Sequence, residues 1–524
     1  MTTSTDIPAM PAVRYASLAP LIAFILAAVF AAVPIISHVN LPLVDLPNHI
    51  ARYFVMAHPD GALSQYYSIP DLAIVPNSAA DLLWRLTGMQ GDPVRFANTV
   101  MAFYAVNLIA SVMVLSRVVH GRWTVWPAAS GFVVFNAAFM WGFQNFLFTV
   151  PFAIFGLALW LHTERKSLGM RLAIFVPFGA VLFFMHLFGF MALAIAAFGR
   201  ETQKLVNSGA SWRQALLSGA VMALPFLLPL GWLIAVTFTG PENVAGSRTE
   251  FGPLLKVVHA FVSPVTELFF LESFSFWVLG IFGFALFIVC FLTVFSKKGP
   301  RLVLDQRIKG PFIALFVAAL LAPAWLNGVA LVHIRLPVIV MALFFAGTSW
   351  KNISSRQAVI LLLFFATIIG IRAVEFERYA AKHDAEVTDL AVTLNDMPYG
   401  SRLLPLRAPG YESRERLWHI QGYAVPMRQS FVPTLFQGVH GISVKEEWIG
   451  HSHPALHAVD ARRAFNPAQR ADAAGYYWHD WERAFTHVLL IDEFGPDLKV
   501  PQFLTKIAQN GRFTLYSITA DQGF

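Results

Sequence analysis

Cysteine is nearly missing: the 524 residues include one, Cys290. That excludes disulfides and cysteine zinc sites within the chain. Charge is also scarce. Asp, Glu, Lys and Arg make up 13% of the residues, against about 25% in soluble proteins, so most of this chain has to be solvated by lipid. There is no P-loop, no G-x-S-x-G elbow and no dinucleotide fingerprint, so nothing points to ATP-driven transport. Internal repeats and low-complexity tracts are lacking too.

What remains is apolar. Hydrophobic residues account for 56% of the chain, and the mean hydropathy is +0.58. The charge is unevenly spread: residues 1–375 are apolar blocks with short polar breaks, whereas residues 376–524 read as an ordinary soluble domain. The first run, from Ser17 to about Ser37, is too long, too weakly basic at its start and too poor in an A-x-A end for a typical cleaved signal peptide. It reads as a retained first membrane helix.

A spanning helix needs about 20 apolar residues. Such runs occupy 17–37, 95–116, 125–142, 145–163, 214–236, 275–296, 311–328, 336–349 and 357–374. The run 171–199 is long for one span and short for two. Basic residues collect in 117–124, 164–171, 200–213, 297–309 and 351–356, and cytoplasmic loops are where Lys and Arg gather. All five share one side only if 171–199 crosses twice, turning near His186. The expectation is about eleven transmembrane helices, with the N-terminus cytoplasmic and the C-terminal domain extracytoplasmic. The +7 net charge then reports topology rather than nucleic-acid binding.

Two outer loops are long enough to house function. Residues 38–94 carry five Asp against Arg52 and Arg85, and residues 237–274 carry four Glu against Arg248 and Lys256. Within the first, two interfacial helices are expected, one after Asp45-Leu46-Pro47 and one over 76–86, each with a Pro near its first turn. The C-terminal part alternates helix and strand: a helix at 377–396, strands at 401–407, 486–492 and 513–519, and a helix at 499–511. This implies a small α/β domain.

Asp45 has two readings. Before a Pro-containing first turn it is a good helix cap, stabilising by about 1 kcal/mol; alternatively it is a carboxylate held at the membrane boundary as a base or cation ligand. His49 and Arg52 share a helix face; they are substrate-site candidates, with interfacial anchoring as the alternative reading. His186, in FFMHLFGF, is an ionisable group at membrane depth, a costly placement that usually serves a cavity or partner. His333 and Arg335, in LVHIRLP, open a span from the outer side, where Arg suits a phosphate. Gln144 and Asn145 read as a structural turn. In the soluble part, His451, His453 and His457 with Asp460 fit no standard metal spacing. The aromatic stretch 476–483 suits sugar stacking or ordinary packing.

The order of an apolar span, D-L-P-N-H-I-A-R-Y, about 25 residues and then V-P-N-S-A-A-D-L-L-W resembles the first outer loop of GT-C type glycosyltransferases, which use polyprenyl-phosphate-linked sugars as donors. The resemblance covers this loop specifically and the remaining architecture loosely. It implies a GT-C-like α-helical polytopic membrane protein in which Asp45 matches the family's essential acid. It also implies a polyprenyl-phosphate-sugar donor, a glycan, lipid or protein acceptor, and Arg335 with His333 at the donor phosphate. Many members carry two adjacent acids here, whereas Leu46 follows Asp45. A divalent cation (Mg or Mn) would need a second ligand from Asp71, Glu267 or His259. The expected reaction is an inverting sugar transfer with Asp45 as base. The alternative is a non-enzymatic transporter or scaffold for lipid-linked saccharides, in which Asp45 only caps a helix. A transporter would favour pseudo-symmetric halves, and the hydropathy has none.

Overall fold

In the computed structural model, described over residues 12–71, 75–239, 249–267, 282–285, 288–296, 298–326, 329–408, 417–438, 441–453, 458–471, 475–492 and 498–519, the apolar runs become helices whose ends are set by local chemistry. After α1 (Ala12–Ile36) come the two short helices of the first outer loop, α2 (Leu46–Ala57) and α3 (Ala79–Leu86). The long α4 (Pro93–His120) starts on Asp92, whose side chain accepts from the Val94 N–H at 2.8 Å, and stops at left-handed Gly121. Among the described residues, five helices are long and apolar enough to cross a membrane: Leu18–Ile36 of α1, then α4, α6 (Gln144–His162), α7 (Leu168–Met185) and α13 (Ser355–Thr393). The element α5 (Ala137–Met140) precedes α6.

Residues 171–199 form a helical hairpin, as expected. His186 adopts extended backbone, which ends α7 and starts α8 (Leu187–Ser208), and its Nδ1 accepts from the Phe188 N–H at 3.1 Å. At the far end, Arg171 of α7 pairs with Glu201 of α8 at 3.0 Å, so the two helices are antiparallel.

Two expected spans take other forms. Residues 125–142 are not one continuous helix: Trp126–Val133 is 3-10, followed by the four residues of α5. The segment still travels the length of the bundle, because Trp126 bonds Thr348 at one end and Trp141 lies beside Asp45 at the other. The expected span at 336–349 is α12 (Arg335–Gly347), whose 13 residues are all buried. At 1.5 Å per residue it is about 20 Å long. Irregular or short elements are tolerated at membrane depth when protein rather than lipid surrounds them, and both are enclosed. The remaining bundle helices are α9 (Trp212–Thr239), α10 (Leu255–Val262) and α11 (Gln306–Leu321). Of the expected span at 275–296, residues 282–285 and 288–292 are helical and 293–295 form a 3-10 turn, whereas 275–281 and 286–287 lie outside the described residues.

The basic loops gather at one end. Arg200 pairs with Glu164, Arg307 donates to the Val118 carbonyl, and Gln203 donates to that of Gln306. Asp45 and the His186 turn lie at the other. There α13 continues without a break beyond the bundle as the first helix of the C-terminal part, so the last expected span and the expected 377–396 helix are one 39-residue element. The end of α1 is tied to it: His38 contacts Glu377 at 2.9 Å and Asp384 at 2.6 Å.

The C-terminal part is built on a five-stranded sheet. His487–Ile491 is central; it pairs in parallel with Leu403–Arg407, which pairs in parallel with the edge strand Val459–Asp460, and on its other side Phe513–Ile518 adds antiparallel. The expected helix over 499–511 is instead the edge strand Leu504–Asn510. It turns back through Gly511, in the left-handed region at φ +51°, and pairs with Phe513–Ile518. Asn-Gly between two apolar runs is a hairpin signal, and it outweighs helix propensity here.

Candidate active site

Asp45 sits between α1 and α2, where its backbone N–H donates to the Trp141 carbonyl at 3.0 Å. It occupies the cap position of α2, yet its side chain makes no capping hydrogen bond. The carboxylate instead turns into the protein, 17% exposed, with His419 Nε2 at 3.7 Å from Oδ1. Burial pushes the Asp45 carboxyl up to about 7, and the nearby Arg335 guanidinium pulls in the opposite direction. Leaving water disfavours the ionised form, whereas an opposite charge favours it.

Arg335 opens α12 and is buried. Its guanidinium lies over the Phe143 ring at 4.2 Å, Phe188 at 5.1 Å and Phe146 at 5.6 Å. Aromatic faces hold a cation without satisfying its N–H groups. The one hydrogen bond it makes among the described residues is a long one, 3.4 Å, to the Ala330 carbonyl, and Nε is buried with no acceptor. His186 packs its ring on two of the same phenyl groups, Phe146 and Phe188. The membrane-depth histidine therefore belongs to this cage.

His333, His259 and Glu267 form a buried chain. His333 Nε2 is 3.1 Å from His259 Nδ1, and His259 Nε2 is 2.9 Å from Glu267 Oε1. Trp141 Nε1 donates to the other Glu267 oxygen at 2.7 Å. Trp141, whose carbonyl holds Asp45, thus joins the two clusters. Beside them runs an apolar cavity of about 140 Å³ between α10, α11 and α12. Pro337, Val340, Met341 and Phe344 contribute one side of it, a helical stripe extending about 10 Å along α12.

Other expected residues are placed differently. Arg52 is committed to Asp81 of α3, Nε to Oδ1 at 2.8 Å and Nη2 to Oδ2 at 3.0 Å, both side chains buried. This pair clamps the two interfacial helices together. His49 is held by Arg52 at 3.0 Å and packs edge-on against Phe436. Asp71 is exposed in the loop before α3 and makes no ion pair among the described residues. Glu267 and His259 serve each other and Trp141, and among the described residues no three His, Cys, Asp or Glu side chains are grouped as metal ligands. His457 lies outside the described residues; His451 contacts Asp480 at 3.4 Å and stacks on His479.

The C-terminal part supplies what the sequence reading missed. Trp418 packs against Trp141, and Phe436 stands between His49 and His419. The 3-10 turn Ile420–Tyr423 seats on α2 so closely that a Cβ on Gly422 would lie 2.8 Å from the Pro47 carbonyl. Tyr67–Ser68 of the first outer loop pairs with Ser443–Val444. The stretch LWHIQGY (417–423) combines two aromatics, a His and a Gly, which is the one local sign that it packs closely against something.

No protein-family model matches the chain, and no curated protein matches it. Among solved structures, it is similar to the crystal structure of ArnT from Cupriavidus metallidurans bound to undecaprenyl phosphate, at 12% identity over 97% of this chain and 99% of that one, with a TM-score of 0.48. A likeness this loose carries no inference about the site.

Proposed function

We propose that the protein is a GT-C type glycosyltransferase that moves a sugar from a polyprenyl-phosphate-linked donor to an acceptor hydroxyl at the outer face of the cytoplasmic membrane. The observation that carries this reading is two opposite charges near enough to act on one another, a mostly covered carboxylate and a buried guanidinium, neither of them fully satisfied. Asp45 is a carboxylate that caps nothing and titrates near neutrality, and Arg335 is a ring-caged guanidinium with donors to spare.

In this reading the donor phosphate lies on Arg335, with His333 beside it and the prenyl chain along the apolar slot on α12. Arginine suits a phosphate because its N–H groups match two oxygens at once. Asp45 takes the proton from the acceptor hydroxyl as that oxygen attacks the anomeric carbon. The bond from that carbon to the phosphate oxygen breaks, the polyprenyl phosphate leaves with the electron pair, and the anomeric centre inverts. A base whose pKa lies near the working pH is the most efficient kind, contributing about 10²–10⁴-fold, and Arg335 offsets the charge gathering on the leaving phosphate. The basic loops at the opposite end support an outward-facing Asp45. The transporter or scaffold reading needs Asp45 as a cap, a role its side chain does not perform.

The test supplies purified wild type and Asp45→Asn with a panel of polyprenyl-phosphate sugars and an acceptor mixture, and measures free polyprenyl phosphate. Turnover by wild type that is lost in the variant supports Asp45 as base. Equal turnover in both moves the base elsewhere.

A further inference from the structure

At the end of the bundle away from Asp45, a second concavity of about 740 Å³ opens between helix ends. This is the size range of small-molecule sites. Its charge is one-sided. Arg117 comes from the last turn of α4, Arg165 from the turn after α6, Arg200 from α8 and Arg307 from α11. Two of these are already occupied: Arg200 is forked onto Glu164 at 2.6 and 3.1 Å, and Arg307 is held by the Val118 carbonyl at 3.0 Å with Asp305 at 3.6 Å. The side chains of Arg117 and Arg165 meet no acid among the described residues. Four arginines against two acids leave two positive charges facing one basin.

Topology alone does not require this. Solvated arginines scattered over the loops would satisfy the cytoplasmic bias equally well, whereas here four separate segments aim theirs at a single hollow. Trp123 stands at the rim, 53% exposed, and tryptophan with one face bare is typical of the headgroup level of a membrane. Val118 and Leu161 are the aliphatic residues of the lining. Exposed indole, apolar lining and paired guanidinium forks together suit a phosphate that arrives attached to a lipid.

We propose that this basin is a binding site for the phosphodiester headgroup of an anionic phospholipid, held chiefly by Arg117 and Arg165. The pre-set Arg200 and Arg307 form its back wall. The site is independent of the Asp45–Arg335 centre and of the reaction assigned to it.

The test uses the full chain in mild detergent, with dioleoylphosphatidylglycerol, dioleoylphosphatidylcholine or inorganic phosphate added, and follows thermal stability and lipid retention by native mass spectrometry. The variant is Arg117→Gln with Arg165→Gln; both side chains lack an acidic partner among the described residues, so the fold should tolerate the change. Phosphatidylglycerol is expected to bind and stabilise the wild type, phosphatidylcholine to do neither, and the double variant to bind phosphatidylglycerol roughly twenty-fold more weakly. Equal effects of the two lipids would overturn the proposal, as would phosphatidylglycerol binding that the double variant leaves intact. Inorganic phosphate giving the full stabilisation by itself would make this a small-anion site and overturn the lipid assignment.

Discussion

Replacing Asp45 with Asn should inactivate the protein and at the same time make it more stable, by an amount that grows with pH. The carboxyl titrates at 3.8 when free and at about 7 in the fold. Between those values the folded chain binds a proton that the unfolded chain has lost, so stability falls as pH rises. The penalty is absent below about pH 4, accumulates up to pH 7 and is complete above it. A gap of about three pH units at about 1.4 kcal/mol each sets the full penalty near 4 kcal/mol. Asn resembles the protonated acid and escapes it, and because Arg335 already enters the value of about 7, its attraction is included. About 3 kcal/mol of the gain should therefore appear between pH 5 and pH 8. Thermal unfolding of both proteins in detergent at the two pH values reads it directly, as a melting-point advantage of several degrees at pH 8 that shrinks at pH 5. Wild-type kcat/KM should rise through about pH 7 as the base deprotonates. An Asn variant less stable at pH 8, or an advantage independent of pH, would refute the reasoning.

Arg335→Gln should raise the donor KM about ten- to hundred-fold, the worth of a charge-assisted pair of hydrogen bonds. Lys should restore only part of it, because it lacks the fork; an unchanged KM in steady-state assays would remove Arg335 from the phosphate site. Arg52→Met should cost about 3–5 kcal/mol by stranding buried Asp81, and adding Asp81→Leu should recover most of that. Thermal melts of the single and double variants check it. Gly422→Val should cost about 1–3 kcal/mol by overpacking and loosen the C-terminal part from α2, seen as faster proteolysis around residues 417–453 and lower turnover.

Part of the candidate site is legible in the sequence. Asp45 is marked as the match to an essential acid, Arg335 and His333 as phosphate partners, His186 as an ionisable group at membrane depth, and His259 and Glu267 as possible cation ligands; the fold gathers them at one end of the bundle. The Arg52–Asp81 pair is not legible there, because Asp81 lies on the next helix and nothing local joins the two. His419 and Trp418 were missed because they come from a segment some 370 residues away, in a domain that looked separable.

Composition and hydropathy by themselves determined that this chain lives in lipid, where its apolar runs lie, and that 171–199 turns at His186, because charge and periodicity are local quantities. Tertiary structure alone decided three further matters. It decided that 125–142 could travel through the bundle in 3-10 form, because surrounding protein satisfies backbone that lipid could not. It decided that 504–510 is a strand, because a neighbouring edge was available to pair with it. And it decided that the Asp45 side chain leaves its own helix uncapped and lies toward His419, because only tertiary packing sets which way a side chain turns and how far it leaves water.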